Sequence, residues 1–362
     1  MEQYWIWLSS VEGLGPRKFY QLMAEYEDAR EVWGQVGKQM AFLGKKVYQN
    51  LRDARSEEYL YQLFVTMERM GIRAITRLHD DYPKSLTDIY DPPPVLYVKG
   101  DMRLNDQKLF AMVGARTPTF DGKRAAKQIA EGLGKHSVSV VSGFARGVDA
   151  SAHIGCMDGG SPTVAVLGCG LDTIYPPEHA ELYDRIIDEG GAIISEYKPG
   201  SPPVGTHFPA RNRIISGLCP GVLIVEAAKG SGSVITANTA LEQDRDVFVV
   251  PGSIYSKLSA ETNRLLVEGA MPAISEWEIL SYYGWAQKDI KAGQKLTIKL
   301  TQDERKIVEP LQSELLSFDE LSEKTQISVA KLNSLLTTLE LRGIINKVPG
   351  SGYRAAANFL ID

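Results

Sequence analysis

The sequence predicts an α/β fold built on a doubly wound, mostly parallel sheet of the extended Rossmann-like type. Short apolar runs without polar alternation recur along the middle of the chain, each ends in a small or charged residue, and amphipathic helical segments separate them. Such runs fit strands that are buried on both faces, and the helices between them imply parallel pairing. The runs are 108–114, 138–143, 163–168, 192–195, 222–226 and 247–252.

A ligand site is expected where these strands end. In doubly wound sheets the ligand lies beyond the carboxyl ends of the strands, where glycines let backbone N–H groups approach it and helix N-termini favour negative charge. The fold therefore predicts an anion site, with phosphate as the anion that fits best.

The spacing of apolar and polar residues predicts three domains. Residues 1–85 form a small helical domain, because apolar residues recur there at helical spacing, and residues 86–285 form the sheet domain. Asp91-Pro92-Pro93-Pro94 is a stiff connector that no helix can cross, and Val95–Val98 is an added strand behind it. Residues 286–298 are polar and predict a linker, while residues 299–362 form a separate small domain.

Helix caps and a hairpin pattern identify this last domain as a winged helix. Thr301 and Ser328 can cap a first and a third helix, and Ser317 with Glu320 has capping-box spacing for the second. The segments 344–348 and 353–355, joined by a turn at 349–352, predict the hairpin. The third helix offers few basic residues to a major groove, which favours protein interaction or packing and leaves DNA binding open. Its exposed residues are Lys331, Asn333, Ser334, Thr337, Thr338 and Glu340.

Composition restricts the possible partners and the compartment. The formal net charge of -5 excludes a protein that coats polyanions with its whole surface, so any nucleic-acid contact needs a local basic patch. Cys156, Cys169 and Cys219 lack metal-ligand spacing and are expected to be reduced structural thiols. Neither a signal peptide nor a membrane span is recognisable, so we expect a cytoplasmic protein without membrane contact.

The densest polar cluster is the segment Thr206-His207-Phe208-Pro209-Ala210-Arg211-Asn212-Arg213. An aromatic residue beside two arginines suits a nucleic-acid single strand, because guanidinium groups meet phosphates and the ring stacks on a base. In the alternative interpretation, Phe208 packs its loop and the arginines pair with Glu196 and Glu226. The pattern alone leaves both interpretations open.

Two further loops suit an anion. Lys229-Gly230-Ser231-Gly232-Ser233 follows a strand and opens a helix, so it can present N–H and hydroxyl donors. It is not a P-loop, and Gly168-Cys169-Gly170 lacks the third glycine of a dinucleotide fingerprint. No nicotinamide, ATP or other cofactor is therefore expected.

Arg116 and the segment 142–147 follow the first two strands and should meet at the same rim. Arg116 is a good phosphate anchor, although a structural ion pair is the alternative. Asp149 and His153 lie four residues apart and can form a catalytic pair, but no nucleophile motif accompanies them and structural bonds are favoured. The five histidines show no metal-ligand spacing.

The segment from Val11 to Lys18 is typical of the turn in a helix-hairpin-helix element, whose backbone N–H groups can meet a DNA phosphate. A simple helix connection explains it equally well.

The ordered series of these motifs resembles the DNA-processing protein A family (DprA, also called Smf) over about 200 residues. The flanking domains resemble that family's sterile-alpha-motif-like (SAM-like) and winged-helix domains more loosely. One departure is Glu261 before Thr262-Asn263, where the family usually has glycine. The matching segments are 113–116, 142–149, 152–153, 167–170, 175–176, 195–196, 208–213, 225–227, 231–233, 236–237 and 251–252.

The resemblance implies a protein without catalysis that binds and protects single-stranded DNA and loads the RecA recombinase during natural transformation. It also implies a homodimer, with single-strand binding protein as a further candidate partner. The resemblance and the loops described above together predict a DNA site formed by Gly114, Arg116, Ser142, Gly143, Phe144, Phe208, Arg211, Asn212, Arg213, Lys229, Ser231, Gly232 and Ser233.

Two other functions compete with this one. A nucleotide hydrolase of the lysine-decarboxylase-like type has a similar core, but its Pro-Gly-Gly-x-Gly-Thr segment matches neither loop 229–233 nor loop 251–253. The second is a protein-binding regulator that acts through the winged helix and has lost the use of its anion pocket.

Overall fold

The computed structural model describes residues 2–286, 296–298, 300–312, 314–342, 344–348, 352–355 and 359–361. The chain forms two compact units, Met1–Ala286 and Gln287–Asp362. Among the described residues, every helix is too short or too polar to cross a lipid bilayer.

The first unit begins with a bundle of five helices around an aromatic and aliphatic core. Trp7, Phe19 and Leu22 are fully buried in this core. Gly13 has a positive φ of 83° in the turn between the first two helices, a conformation that favours glycine. The helices are α1 (Glu2–Ser9), α2 (Pro16–Glu25), α3 (Ala29–Gln35), α4 (Lys45–Asp53) and α5 (Glu57–Arg69).

Nine strands within residues 2–286 form one sheet in the order β1-β2-β6-β5-β4-β3-β7-β8-β9. Strand β2 is antiparallel to both of its neighbours, and all the other pairs are parallel. The strands are β1 (Arg73–Thr76), β2 (Val95–Lys99), β3 (Lys108–Val113), β4 (Val138–Ser142), β5 (Val164–Leu167), β6 (Ala192–Ser195), β7 (Gly221–Ile224), β8 (Asp246–Val249) and β9 (Met271–Pro272).

Helices cover both faces of this sheet, as the alternation along β3 shows. Phe110 and Met112 share a core with α7 and α8, whereas Leu109 and Ala111 share one with α10 and α11. The helices after α5 are α6 (Lys84–Thr87), α7 (Phe120–Lys135), α8 (Val148–Asp158), α9 (Ala180–Asp188), α10 (His207–Gly217), α11 (Gly232–Glu242), α12 (Ala260–Val267) and α13 (Glu276–Tyr282).

The strand order reverses between β3 and β7. From β3 the chain adds β4, β5 and β6 on one side, and it then returns to place β7 on the other side of β3. Such a reversal opens a crevice at the carboxyl ends of the two strands. The candidate site lies along this carboxyl rim.

The predicted doubly wound sheet is confirmed, with differences at its margins. The six predicted apolar runs correspond to β3 to β8, and the added strand over 95–98 is β2. Residues 73–76 fall within the segment predicted to be helical but form strand β1. This short run follows α5 directly and carries little periodicity of its own. How residues 1–285 divide into domains stays a prediction.

The second unit is built around a small apolar core of its own. Thr301 and Ser317 form the capping boxes of the first two helices, and Ser328 precedes the third without a side-chain cap bond. Residues 296–298, predicted as linker, pair instead with 359–361. The predicted turn at 349–352 lies largely outside the described residues. The elements are β10 (Leu296–Ile298), α14 (Gln302–Leu311), α15 (Phe318–Thr325), α16 (Val329–Leu341), β11 (Ile345–Val348), β12 (Gly352–Ala355) and β13 (Phe359–Ile361).

Candidate nucleic-acid interface

An exposed guanidinium lies over an aromatic ring at the carboxyl rim of the sheet. Arg116 follows β3, and its Cζ is 5.7 Å from the ring centroid of Phe208, at the start of α10. Phe208 is half-buried, so part of its ring stays accessible. A cation and an aromatic ring thus lie side by side, a combination that proteins use to bind nucleic-acid single strands.

The Phe208 ring rests on the loop that follows β5. A β-carbon on Gly168 would lie 2.9 Å from Cδ1 of Phe208, so the ring can approach only because residue 168 is glycine. The Tyr175 ring lies 5.5 Å from Phe208 at an interplanar angle of 32°. Tyr175 is 38% exposed and was not predicted as a site residue. The sequence signal that could have identified Tyr175 is its position in a loop of small residues that follows a parallel strand.

Behind this exposed pair, Arg211 is buried against the loop that follows β4. Its Nη1 donates a hydrogen bond to the carbonyl oxygen of Gly143 at 3.0 Å. Burial lowers the pKa of Arg211 to about 10, an effect that nearby Asp149 opposes and nearby Arg116 reinforces. The guanidinium therefore remains charged at neutral pH and adds positive potential close to Arg116.

Asp149, at the start of α8, holds the same loop from its other side. Its carboxylate accepts a hydrogen bond from the backbone N–H of Ala145 at 3.2 Å. Burial raises the pKa of Asp149, while Arg211 and these loop amides act in the opposite direction. Asp149 thus positions the loop and offsets part of the charge of Arg211.

The second turn of α10 adjoins the first turn of α11. The Asn212 amide donates to the carbonyl oxygen of Gly232 at 3.4 Å, and Ser231 caps α11 by accepting from the N–H of Ser233. The Ser231 and Ser233 hydroxyl groups bond to each other, and the exposed members of this loop are Lys229, Gly230 and Gly232. The start of α11 therefore offers a cation and a helix N-terminus to an anion.

Five of the predicted side chains need correction because they are buried: Ser142, Phe144, Arg211, Arg213 and Ser233. Phe144 is fully buried beside His179 and has a positive φ of 59°, and Ser142 Oγ donates to the Met112 carbonyl oxygen. Arg213 is bound to Glu196 and to Asp91. The predicted ion pair with Glu196 is thus confirmed for Arg213, whereas Glu226 makes other contacts.

Glu226 occupies the N-terminus of α7. Its carboxylate accepts from the backbone N–H of Thr119 at 2.9 Å and from the Thr119 hydroxyl at 2.6 Å. A β-carbon on Gly122 would lie 2.3 Å from the carboxyl carbon of Glu226, so the close packing requires glycine. The helix end beside the β3–β7 crevice therefore already holds an anion from the protein itself.

The other polar residues considered for chemistry have structural partners. His153 Nδ1 contacts Thr163 Oγ1 at 2.7 Å, and Asp149 bonds to the loop before α8, so the two do not form a catalytic pair. All three cysteines are buried and unpaired. No cluster able to hold a metal ion occurs among the residues that the structure describes.

Comparison with known families decides the relationship. A family model described as DNA recombination-mediator protein A matches residues 73–284, and one described as the DprA winged helix domain matches residues 294–351. The chain belongs to the DNA recombination-mediator protein A family. The match begins at β1, in agreement with the extent of the sheet.

Relatives within this family support the assignment. Protein Smf of Synechocystis is 32% identical over 98% of both chains. The X-ray structure of DNA processing protein A from Streptococcus pneumoniae has a TM-score of 0.68 at 33% identity and covers 78% of this chain and 98% of its own. DNA processing protein A from Helicobacter pylori, described for its single-stranded DNA binding mode, has a TM-score of 0.54 at 30% identity and covers 59% of this chain and 96% of its own.

The predicted family and the predicted winged helix are therefore both confirmed. As a member of the DNA recombination-mediator protein A family, the chain is a DNA-processing recombination mediator.

Proposed function

We propose that this chain binds single-stranded DNA along the carboxyl rim of its sheet. The observation that carries the proposal is the exposed Arg116 guanidinium, 5.7 Å from the half-buried ring of Phe208. Charge from the guanidinium attracts a phosphate, and the ring offers a face to a base. The single-stranded DNA binding described for the Helicobacter pylori relative supports this assignment.

The rim residues divide into those that touch the strand and those that position them. Arg116, Phe208, Lys229 and the backbone N–H of Gly232 at the start of α11 contact DNA. Arg211 adds charge from behind. The remaining predicted residues form the frame of the rim through backbone or buried contacts: Gly114, Ser142, Gly143, Phe144, Asn212, Arg213, Ser231 and Ser233.

In the cell, this binding protects incoming single strands and supports loading of the RecA recombinase during natural transformation. The protein acts as a cytoplasmic homodimer, with single-strand binding protein as a further partner. It has neither a catalytic step nor a cofactor. The family resemblance implies these roles. The DNA-dependent ones would act through the strand bound at the carboxyl rim.

The nucleotide-hydrolase alternative is weakened by Glu226. Its carboxylate already fills the N-terminus of α7, where a Rossmann-like enzyme would hold a substrate phosphate. A second anion there would be repelled by a buried negative charge. Release of free base from AMP by the purified protein would revive this alternative.

The direct test is the affinity of the full chain for fluorescent oligo-dT. We expect Phe208→Ala to weaken binding by about 1–3 kcal/mol per stacked base and to leave the salt dependence unchanged. Arg116→Ala should weaken binding and also reduce the slope of log affinity against log salt by about 0.7, as expected for one phosphate contact. Phe208→Tyr keeps an aromatic ring and should retain most of the affinity.

Matched controls are Tyr61→Ala, an exposed aromatic residue on α5, and Arg103→Ala, an exposed arginine before β3. Both should bind oligo-dT like the wild type. Undiminished binding by both Phe208→Ala and Arg116→Ala would show the proposal to be wrong.

A further inference from the structure

Phe120 stands 81% exposed at the start of α7, four residues after Arg116. Helix capping does not require it, because Thr119 supplies the cap by accepting a hydrogen bond from the N–H of Gly122. The buried face of α7 begins instead with Gly122 and Ala126. A large aromatic side chain is therefore held in solvent at a helix end that has no structural use for it.

Two basic residues follow Phe120 on the same face of α7. Lys123 and Arg124 lie three and four residues further along α7, so their side chains share a helix face with Phe120. Within residues 2–286, neither side chain makes an ion pair or a hydrogen bond, and both are exposed. The carboxylates nearby are Asp121, exposed beside Phe120, and Glu226, which is buried and bound to Thr119. Cations thus outnumber the accessible carboxylates around the ring.

A groove connects this surface to the rim. It has a volume of about 760 Å³ and is lined on one side by Arg116, Thr117, Pro118 and Lys123. Arg116 therefore borders both the Phe208 ring and the groove. Two carboxylates also line the groove: Glu178, which is bound to Arg146, and Glu181, which is exposed on α9. The positive side of the groove is therefore the one formed by Arg116 and Lys123.

We propose that Phe120 is a second base-stacking side chain and that Lys123 contacts a phosphate of the same strand. A single strand that leaves the Arg116–Phe208 pair would cross the first turn of α7 and continue along the groove. The inference rests on the proposed function and extends it to the path of the strand. Nucleic acid is favoured over an apolar protein partner because cations flank the ring and because Arg116 belongs to both surfaces.

The test measures the affinity of the full chain for oligo-dT in a length series from about 4 to about 16 nucleotides, the span of site sizes known for single-strand-binding modules. Phe120→Ala should bind the shortest oligomers like the wild type and the longer ones at least about 5-fold more weakly, the lower end of base–aromatic stacking. Phe120→Tyr should restore the affinity. Lys123→Gln should reduce the salt slope by about 0.7 on the longer oligomers only.

The outcomes separate this inference from the proposed function. Tyr61→Ala is the matched aromatic control, and thermal unfolding should show no change for Phe120→Ala because its side chain is exposed. If Phe208→Ala weakens binding while Phe120→Ala matches the wild type at every length, the inference about Phe120 is wrong, whereas DNA binding at the carboxyl rim is supported. If Phe120→Ala binds DNA normally but loses RecA, the surface serves a protein and the inference is overturned. If neither variant loses affinity, the proposed function fails as well.

Discussion

The buried guanidinium of Arg211 is hydrogen-bonded to the backbone of Gly143 beneath the exposed residues of the carboxyl rim. Nη1 of Arg211 donates to the Gly143 carbonyl oxygen at 3.0 Å. A β-carbon on Gly143 would lie 2.7 Å from Oδ2 of Asp149 and 2.8 Å from Nη2 of Arg211. The loop after β4 can therefore pass between a buried carboxylate and a buried guanidinium only because residue 143 has no side chain.

This packing predicts that Gly143→Ala lowers both stability and DNA affinity. The methyl group must displace Arg211 or Asp149, and overpacking of this kind costs about 1–3 kcal/mol. Urea unfolding gives the first quantity, and fluorescence anisotropy with oligo-dT gives the second. Gly205→Ala is the control, because a β-carbon there meets no atom within 4 Å. Wild-type stability and affinity for Gly143→Ala would contradict this description of the rim.

Replacement of Arg213 should lower the stability of the protein, whereas replacement of Arg116 should lower its affinity for DNA. Arg213 is buried with Glu196, and removing one partner of such a pair costs about 3–5 kcal/mol because the other charge stays buried. Arg116 is exposed, so Arg116→Ala should change the free energy of unfolding by less than about 0.5 kcal/mol while weakening DNA binding. Urea unfolding and oligo-dT affinity of both variants check this. A stable Arg213→Ala with lost affinity would instead place Arg213 at the DNA.

Much of the sheet could be predicted from the sequence because parallel strands are buried on both faces and therefore appear as unbroken apolar runs. The predicted run 192–195 coincides with β6. The run 73–76 was missed because four residues directly after a helix carry too little periodicity. The strand at 296–298 was missed because its parallel partner at 359–361 lies about 60 residues further along the chain.

The site was less predictable than the sheet, because burial in the fold decides which polar side chains can reach DNA. Arg211 and Arg213 lie two residues apart on a helix, so they point in directions that differ by about 200° and cannot both face one strand. That geometry was available from the sequence. The inward turn of Phe144 was not, because an aromatic residue inside a glycine-rich loop resembles an exposed one. Glu226 ends an apolar strand, and only the structure shows it capping α7.

His153 predicts a loss of stability in acid. Thr163 Oγ1 donates to the Val140 carbonyl oxygen, so it accepts from His153 Nδ1–H, and Nε2 is buried without a hydrogen-bond partner in the described structure. Burial lowers the pKa of His153 from 6.5 to about 3. Well above pH 6.5 the imidazole is neutral in both the folded and the unfolded protein, so His153 adds no pH dependence there.

Between pH 6.5 and about 3, only the unfolded protein takes up this proton, so the free energy of unfolding falls as the pH falls. The slope from this one group is at most about 1.4 kcal/mol per pH unit. His153→Asn keeps a donor near the Nδ1 position but cannot titrate, and its unfolding free energy should fall less steeply over the same range. Denaturant titrations at several pH values measure the difference. Identical slopes for the two proteins would show that the folded and unfolded states bind this proton equally, so that folding does not lower the pKa of His153.

Deletion of residues 295–362 separates the recombination mediator from a regulator that acts through its winged helix. The first unit has its own cores and contains every residue of the proposed rim, while the exposed face of α16 offers a single lysine among neutral and acidic residues. We therefore expect the shortened chain to bind oligo-dT within about 2-fold of the full chain, a difference of less than about 0.5 kcal/mol, because it keeps every residue that the proposal places at the DNA. The thermal transition of the first unit, followed by circular dichroism, provides the control for folding. A folded, shortened chain that has lost its affinity would transfer DNA binding to the winged helix and contradict the proposed rim.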